Sequence, residues 1–142
     1  MPLMTEEVAS QLKDEFAQLV NPVRLAVFSQ ALADPASEQV RRLVEELVAI
    51  DSRLALESYN FVLDKEKVQA LGIARTPAIA IMGAAKDYGI RFYGLPSGYE
   101  FGSLVEAILD VSRGDSGLSE ETRAALKDLA RPVHLQVFST PT

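Results

Sequence analysis

The chain has 142 residues, of which 48% are hydrophobic and 24% are charged, and its formal net charge is −6 at pH 7. This balance is typical of a globular protein with one hydrophobic core, and the negative charge argues against a nucleic-acid partner, which would require clustered lysine and arginine. With no cysteine and one histidine, the chain can form no disulfide, no thiolate nucleophile and no zinc site of histidine and cysteine ligands, so we expect no metal or other cofactor.

The N-terminal residues predict a surface helix. The first twenty residues form an acidic amphipathic pattern that does not resemble a signal peptide, and no apolar run is long enough to span a membrane. We therefore expect a cytoplasmic protein without a membrane partner. Thr5 before two glutamates is a typical helix N-cap, and Pro22 is expected to end this helix, because the residue before a proline is disfavoured in the helical region.

The next elements alternate between strands and helices. A short apolar strand buried on both faces is predicted at residues 23–28, a helix from Pro35 to about Ile50, a second strand at 54–59, and a short helix at 65–71 that Gly72 closes. Strands at 78–82 and 90–93 flank GAAKDYG, whose terminal glycines predict an antiparallel hairpin. A helix around residues 101–109, a flexible RGDSG connector and a helix capped by Ser119 complete the pattern before a final strand.

The final strand repeats the first one. NPVRLAVFS and RPVHLQVFS match in one register at six positions: Pro22, Val23, Leu25, Val27, Phe28 and Ser29 correspond to Pro132, Val133, Leu135, Val137, Phe138 and Ser139. The triplet Leu-Lys-Asp also precedes both strands. Short apolar strands can converge on similar sequences, but the constant register favours a duplicated unit.

These phrases carry a family resemblance. The sequence resembles the two-domain protein disulfide oxidoreductases of prokaryotes, which are glutaredoxin-like proteins built from tandem thioredoxin folds. It is more distantly similar to the N-terminal domain of the alkyl hydroperoxide reductase flavoprotein subunit. The matching phrases are NPVRLAVF, RTPAIAI, IRFYGLPSGYEF before a helix ending in LDVSR, and VHLQVFSTPT. The resemblance implies an α/β thioredoxin fold, with a central mixed four-stranded sheet and flanking helices, over residues 1–113. It also implies a linker helix and the first strand of a truncated second thioredoxin-fold repeat over residues 114–142.

The sequence departs from the family at the redox motif. In the family, the first strand of each unit leads into C-x-x-C at a helix N-terminus, whereas here Asp34, Pro35, Ala36 and Ser37 stand at those positions. Asp-Pro-x-x-Glu is a favourable helix start, with an aspartate N-cap and a proline in the first turn. We therefore predict that the helix is retained and the redox chemistry is lost. A role for Asp34 in acid–base catalysis is disfavoured, because a helix N-terminus stabilises the carboxylate anion.

Three further features of the sequence could belong to a site. Thr76 and Pro77 match the family's cis-proline, whose preceding residue pairs with an extended peptide, so they are candidate peptide-binding residues; a proline that merely begins a strand is the structural alternative. GLPSG, at residues 94–98, lacks the Lys-Ser/Thr of a nucleotide loop and predicts a turn. His134 alternates with apolar residues, which favours a structural role over a catalytic one.

Three functional hypotheses remain. By resemblance, the chain is a redox-inactive N-terminal domain of a thiol-disulfide oxidoreductase that scaffolds a catalytic second thioredoxin-fold domain of the same polypeptide, and it is expected to be inactive alone. The alternative is a peptide-binding or assembly module whose partner is an extended peptide or a second copy. The third hypothesis is a hydrolytic or other enzyme that uses Asp34 or nearby acids, but the sequence shows no combination of nucleophile, base and oxyanion donors to support it. In either case Val133, Leu135 and Val137 have no sheet of their own, so the tail should be mobile or dock on a neighbour's sheet edge.

Overall fold

The computed structural model describes residues 1–30 and 34–140. It forms five helices and four strands in these ranges, in the order α1 (Glu6–Phe16), β1 (Val23–Ser29), α2 (Pro35–Val48), β2 (Leu54–Asn60), α3 (Lys65–Ala70), β3 (Ala78–Gly83), β4 (Ile90–Tyr93), α4 (Tyr99–Arg113) and α5 (Glu120–Lys127). The strands make one mixed sheet of order β2-β1-β3-β4, in which only the β1–β2 pair is parallel. This is the predicted thioredoxin-type arrangement, and the hairpin of β3 and β4 is confirmed.

The two faces of the sheet bury two separate cores. Along β1, Val23, Leu25 and Val27 point into the larger core, which α1, α2 and α4 fill, while Ala26 and Phe28 point into a smaller one. Five of the seven β1 residues are buried, as expected for a central strand covered on both faces. The smaller core is closed by Ile73 and by the stacking of Phe28 on Tyr59 at 5.1 Å between ring centroids.

The end of α1 differs from the sequence prediction. The helix begins as expected, with the Thr5 hydroxyl accepting a hydrogen bond from the Val8 N–H at 3.2 Å, but it ends at Phe16 rather than at Pro22. The Arg53 guanidinium, from the turn before β2, donates to the carbonyl oxygens of Phe16 at 2.9 Å and of Leu19. The Phe16 carbonyl also accepts the Leu19 N–H at 3.0 Å, so a local turn closes the helix and the distant arginine adds a second contact to the last carbonyl of α1.

The C-terminal segment forms no regular structure. Between α5 and Thr140 the described chain has neither helix nor strand, and the repeated strand sequence pairs with none of β1 to β4. Its large apolar side chains are exposed, at 62% for Val133, 85% for Leu135 and 90% for Val137 and Phe138. Pro141 and Thr142, which follow the repeated sequence, lie outside the described residues. None of the helices in the described ranges is both long and apolar enough to cross a membrane.

Candidate functional site

The first turn of α2 contains all four residues predicted at the redox-motif position. Asp34 is the N-cap, with extended backbone, and Pro35 lies in the first helical turn. One carboxylate oxygen of Asp34 accepts the Ala36 N–H at 3.2 Å, and the other accepts the Ser37 hydroxyl at 2.5 Å. The Asp34 carbonyl accepts the Glu38 N–H at 3.1 Å. Both carboxylate oxygens therefore serve to hold the helix start.

The groups in this turn cannot perform dithiol chemistry. Ser37 is only 4% exposed, and its hydroxyl is committed to the Asp34 carboxylate. Thiol–disulfide exchange requires a thiolate that attacks and a second sulfur that closes the disulfide. A carboxylate and a hydroxyl at the two positions can do neither, so the geometry of the helix start is present without its redox pair.

An open cleft of about 420 Å³ lies over this helix start. Its lining residues come from the end of β1 and the first two turns of α2: Ser29, Gln30, Asp34, Pro35, Ser37, Glu38 and Arg41. Arg41 donates to Glu38 at 2.7 Å and also pairs with Glu45, so the cation that borders the cleft is neutralised. The described residues contain no cluster of three metal-ligating side chains. The cleft therefore offers hydrogen-bonding groups, and its lining residues include no thiol.

Three of these lining residues, Ser29, Gln30 and Arg41, lie outside the Asp-Pro-x-x-Glu helix start that the sequence predicts. Ser29 and Gln30 directly follow the predicted strand, so their place beside the helix start could have been inferred from chain order. Arg41 follows Ser37 by four residues, which places both on the same side of α2. The signal for Arg41 was therefore present in the helical spacing.

The loop before β3 lies at the same end of the sheet as the α2 start. The Thr76–Pro77 peptide bond is cis, Pro77 is buried, and its carbonyl accepts the Gly94 N–H at 2.9 Å. Phe28 at the end of β1 pairs with Ala78, the first residue of β3. The chain continues from β1 to Asp34. The register therefore places Pro77 at the end of the sheet where α2 begins.

The backbone of Thr76 is open. Neither its N–H nor its carbonyl forms a hydrogen bond with any described residue. The loop is instead held from its other side, where the Arg75 guanidinium lies 4.3 Å from the centre of the Tyr93 ring and the Tyr93 hydroxyl accepts the Ala74 N–H at 3.1 Å. A fixed loop with a free donor and acceptor is suited to pairing with an extended chain.

Two other sequence features do not contribute to this site. Gly94 and Gly98 have φ values of 80° and 60°, so the GLPSG segment uses glycine for left-handed backbone at both ends, as a turn requires. Gly98 is the N-cap of α4 and offers no side-chain cap. His134 is exposed in the C-terminal segment, on a different part of the chain from the α2 start.

Comparison with known proteins shows which proteins the chain resembles. No protein-family model matches it. A curated protein named NADH dehydrogenase, from Ferdinandcohnia aciditolerans, is 29% identical over 136 residues, which are 96% of this chain and 24% of that protein. The chain thus spans about a quarter of the length of this relative.

Two solved structures superpose on most of the chain. The N-terminal domain of alkyl hydroperoxide reductase AhpF from Enterococcus faecalis is 30% identical, with a TM-score of 0.77 and coverage of 85% of this chain and 58% of that one. A protein disulfide oxidoreductase from Aeropyrum pernix is 29% identical, with a TM-score of 0.77 and coverage of 88% and 55%. The chain is therefore a thioredoxin-fold domain related to these redox proteins, which confirms the resemblance drawn from its motifs.

Proposed function

We propose, from the chain's relation to the thioredoxin-like N-terminal domain of AhpF, that it is the redox-inactive thioredoxin-fold half of a thiol-disulfide oxidoreductase. In this proposal it supports and orients a catalytic thioredoxin-fold domain of the same polypeptide. The observation that carries the proposal is the helix start at Asp34 and Ser37, where hydrogen bonds replace the sulfur pair without loss of the helix. The fold is retained while the reactive groups are absent, which is what a supporting domain requires.

The proposed division of the chain follows from its C-terminal part. Residues 1–113 form the first unit, and residues 114–142 supply a linker helix and the first strand of the second. The match of residues 133–139 to β1 supports this division, as does the exposure of their apolar side chains. In a completed second unit these side chains would be covered by that unit's own helices. The greater length of the curated relative is consistent with further domains.

A disulfide-reduction assay tests the redox-inactive role. With insulin as the disulfide substrate and dithiothreitol as the electron donor, the wild-type chain should give only the background rate. The double variant Asp34→Cys/Ser37→Cys, which restores the two sulfurs at the helix start, should exceed it. The variant Asp34→Ser, which adds no thiol, is the matched control and should stay at background. Reduction by the wild-type chain above the background rate would contradict the proposal.

The intact mass of the native product tests the scaffolding role. Measured after thiol alkylation, the polypeptide should be substantially larger than 15.5 kDa and should carry two alkylated cysteines outside the residues described above. A thiol-free native product of 15.5 kDa would leave no catalytic domain to support and would contradict the proposal.

The open backbone of Thr76 favours a second candidate function. The unpaired N–H and carbonyl lie beside a buried cis-proline, and they can form hydrogen bonds with the backbone of an extended peptide. Such binding requires no electron transfer. Titration of the isotope-labelled chain with extended peptides should then shift the amide resonance of Thr76 first. Thr76→Pro removes the donor, so it should weaken binding, whereas a substitution at the exposed Ser103 should not.

A further inference from the structure

The start of α4 carries apolar side chains that stay exposed in the described chain. Tyr99, in the first turn of α4, is 83% exposed, and Leu95 and Leu3 are 37% and 43% exposed. Leu3, Leu95 and Phe101 line a cleft of about 330 Å³ between the N-terminal residues, α2 and the turn before α4. We refer to Leu3, Leu95, Tyr99 and Phe101 as the α4-start surface. Exposed apolar patches of this kind are typical of interaction surfaces.

Two further clefts meet at the α4-start surface. Phe101 also lines a cleft of about 380 Å³ between α1 and α4. A third cleft, of about 480 Å³, is lined by Ser97, Tyr99, Glu100, Ser103, Ser139 and Thr140. The last two of these residues come from the C-terminal segment. The surface is therefore concave on several sides, and a distant part of the polypeptide reaches it.

The N-terminal wall of this surface is held in place by α2. The Glu46 carboxylate accepts the Leu3 N–H at 2.6 Å and the Met4 N–H at 2.9 Å. The Arg42 guanidinium donates to the Met1 carbonyl. Arg42 and Glu46 are one turn apart on α2, so they hold the N-terminal residues from the same side of that helix. A surface that is fixed in advance loses little conformational entropy when a partner docks on it.

The C-terminal segment returns to the α4-start surface from the other end of the helix. Gly114 and Ser116 follow the end of α4 and line a cleft there with Tyr88 of the β3–β4 hairpin. The 15 residues of α4 span about 22 Å. Ser139 lies at the N-terminal end of the same helix. The chain after α4 therefore travels back over the length of this helix before it reaches Ser139.

The repeat indicates what arrives at the α4-start surface. In the constant register of the two copies, Ser139 corresponds to Ser29, the last residue of β1. In the first unit, Ser29 is followed within a few residues by the start of α2 at Asp34. The proposed second unit would therefore bring the end of its first strand to Tyr99 and Ser103. Its matching helix start would follow only a few residues away, at no more than about 3.6 Å per residue.

Charge is compatible with this contact. The exposed side of α4 carries Glu100 and Glu106 in its first two turns. Residues 129–140 contain no aspartate or glutamate and carry Arg131 and His134. The segment can therefore approach the acidic side of α4 without like-charge repulsion, although the chain as a whole has a net charge of −6.

We propose that the second thioredoxin-fold unit of the same polypeptide docks on the α4-start surface. This contact rests on the proposed function and adds to it the surface through which the first unit orients the second. Docking covers Tyr99, whose large ring and hydroxyl suit a contact that is apolar at its centre and polar at its rim. The N-terminal wall and the first turns of α4 then form a preformed support for the unit that follows.

Hydroxyl-radical footprinting tests which surface is covered. The chain of 142 residues and the native polypeptide are oxidised in parallel, and the modified residues are counted by mass spectrometry. Tyr99 should be oxidised at least about fivefold more slowly in the native polypeptide, because the centre of an interface excludes water. Tyr88 has the same side chain, lies near the other end of α4 and is 43% exposed, so it is the matched control and should change little.

The variant Tyr99→Asp tests whether this side chain holds the contact. In the chain of 142 residues it should leave urea unfolding unchanged, because Tyr99 is exposed there. In the native polypeptide it should raise the oxidation rate of Leu95 to the rate found in the shorter chain, since a charge at the centre of the contact disfavours docking. Leu63→Asp, at an exposed apolar position in the loop before α3, is the control and should leave Leu95 protected.

Two results overturn the proposal and separate it from the proposed function. If the native product carries a second unit with two alkylated cysteines, protection that is no greater at Tyr99 than at Tyr88 overturns the docking surface alone. The same holds if Tyr99→Asp leaves Leu95 protected. A thiol-free native product of 15.5 kDa overturns the docking surface together with the proposed function.

Discussion

At the scale of single residues, Arg53 joins two parts of the chain that are distant in sequence. Its guanidinium binds the Asp51 carboxylate with two hydrogen bonds, of 2.8 and 2.6 Å, while it also donates to the Phe16 and Leu19 carbonyls. The side-chain hydrogen bonds from Arg53 lower the pKa of Asp51 to about 2. The ion pair with Asp51 holds the Arg53 side chain in the position from which it contacts Phe16. It therefore ties the end of α1 to the turn before β2.

The Asp51 pair predicts a pH-dependent stability. A carboxylate whose pKa is lower in the folded than in the unfolded chain stabilises the fold above its unfolded pKa of about 3.9, and this contribution is lost as pH falls toward the folded value. Asp51→Asn should therefore be less stable than the wild type near neutral pH, and the difference should disappear as pH falls from about 4 to about 2. Urea unfolding of both proteins across this range measures it.

The control for this prediction is Asp14→Asn, a substitution at an exposed position of α1. Its difference from the wild type should change little over the same pH range. A difference for Asp51→Asn that is independent of pH would show that the carboxylate acts through packing and not through its charge.

At the scale of elements, the start of α2 is held by local contacts, whereas the end of α1 combines a local turn with a distant contact. Asp34 caps a helix whose N-terminal N–H groups lie within a few residues of it, so the pattern Asp-Pro-x-x-Glu was sufficient to predict the start. The last carbonyls of α1 accept local N–H groups, from Gln18 and Leu19, and the Phe16 carbonyl accepts a further hydrogen bond from Arg53, far along the chain. An aspartate N-cap can be recognised in a sequence, whereas a contact from a distant arginine cannot.

Replacement of Asp34 measures how much this N-cap contributes to the free energy of unfolding. Asp34→Ala should lower the free energy of unfolding by about 1 kcal/mol, because the Ala36 N–H and the buried Ser37 hydroxyl lose their acceptor. Asp34→Asn keeps an acceptor oxygen and should cost less. The measurement is equilibrium urea unfolding of the three proteins. Equal destabilisation by Ala and Asn would show that the charge, and not the hydrogen bond, is what stabilises the turn.

At the scale of the whole molecule, the described chain divides into a packed part and an exposed part. The larger core ends with α4, whose last turn contributes the buried Val111, and Gly114 closes this helix in the left-handed conformation. After it, α5 has no buried residue, and the apolar residues of the C-terminal segment are exposed. This contrast in burial is the physical basis for the proposed boundary at residue 113.

Truncation tests the boundary. A chain of residues 1–114, which retains the Gly114 cap, should unfold with a free energy within about 0.5 kcal/mol of the full chain, because the removed residues bury little apolar surface. A shorter chain that ends at residue 107, and so loses the buried Ile108 and Val111, is the control and should be strongly destabilised. A loss of several kcal/mol in the 1–114 chain would place residues 115–140 within the first unit.

The sequence by itself determined the order of the elements, the central position of β1, the loss of sulfur chemistry at Asp34 and Ser37, and the repeat of β1 near the end. These features depend on side-chain type and on spacing between neighbours along the chain. Only the tertiary structure decided that Arg53 contacts the last carbonyl of α1 and that Thr76 keeps an open backbone. Each of these depends on which groups are brought together or left without a partner once distant segments pack.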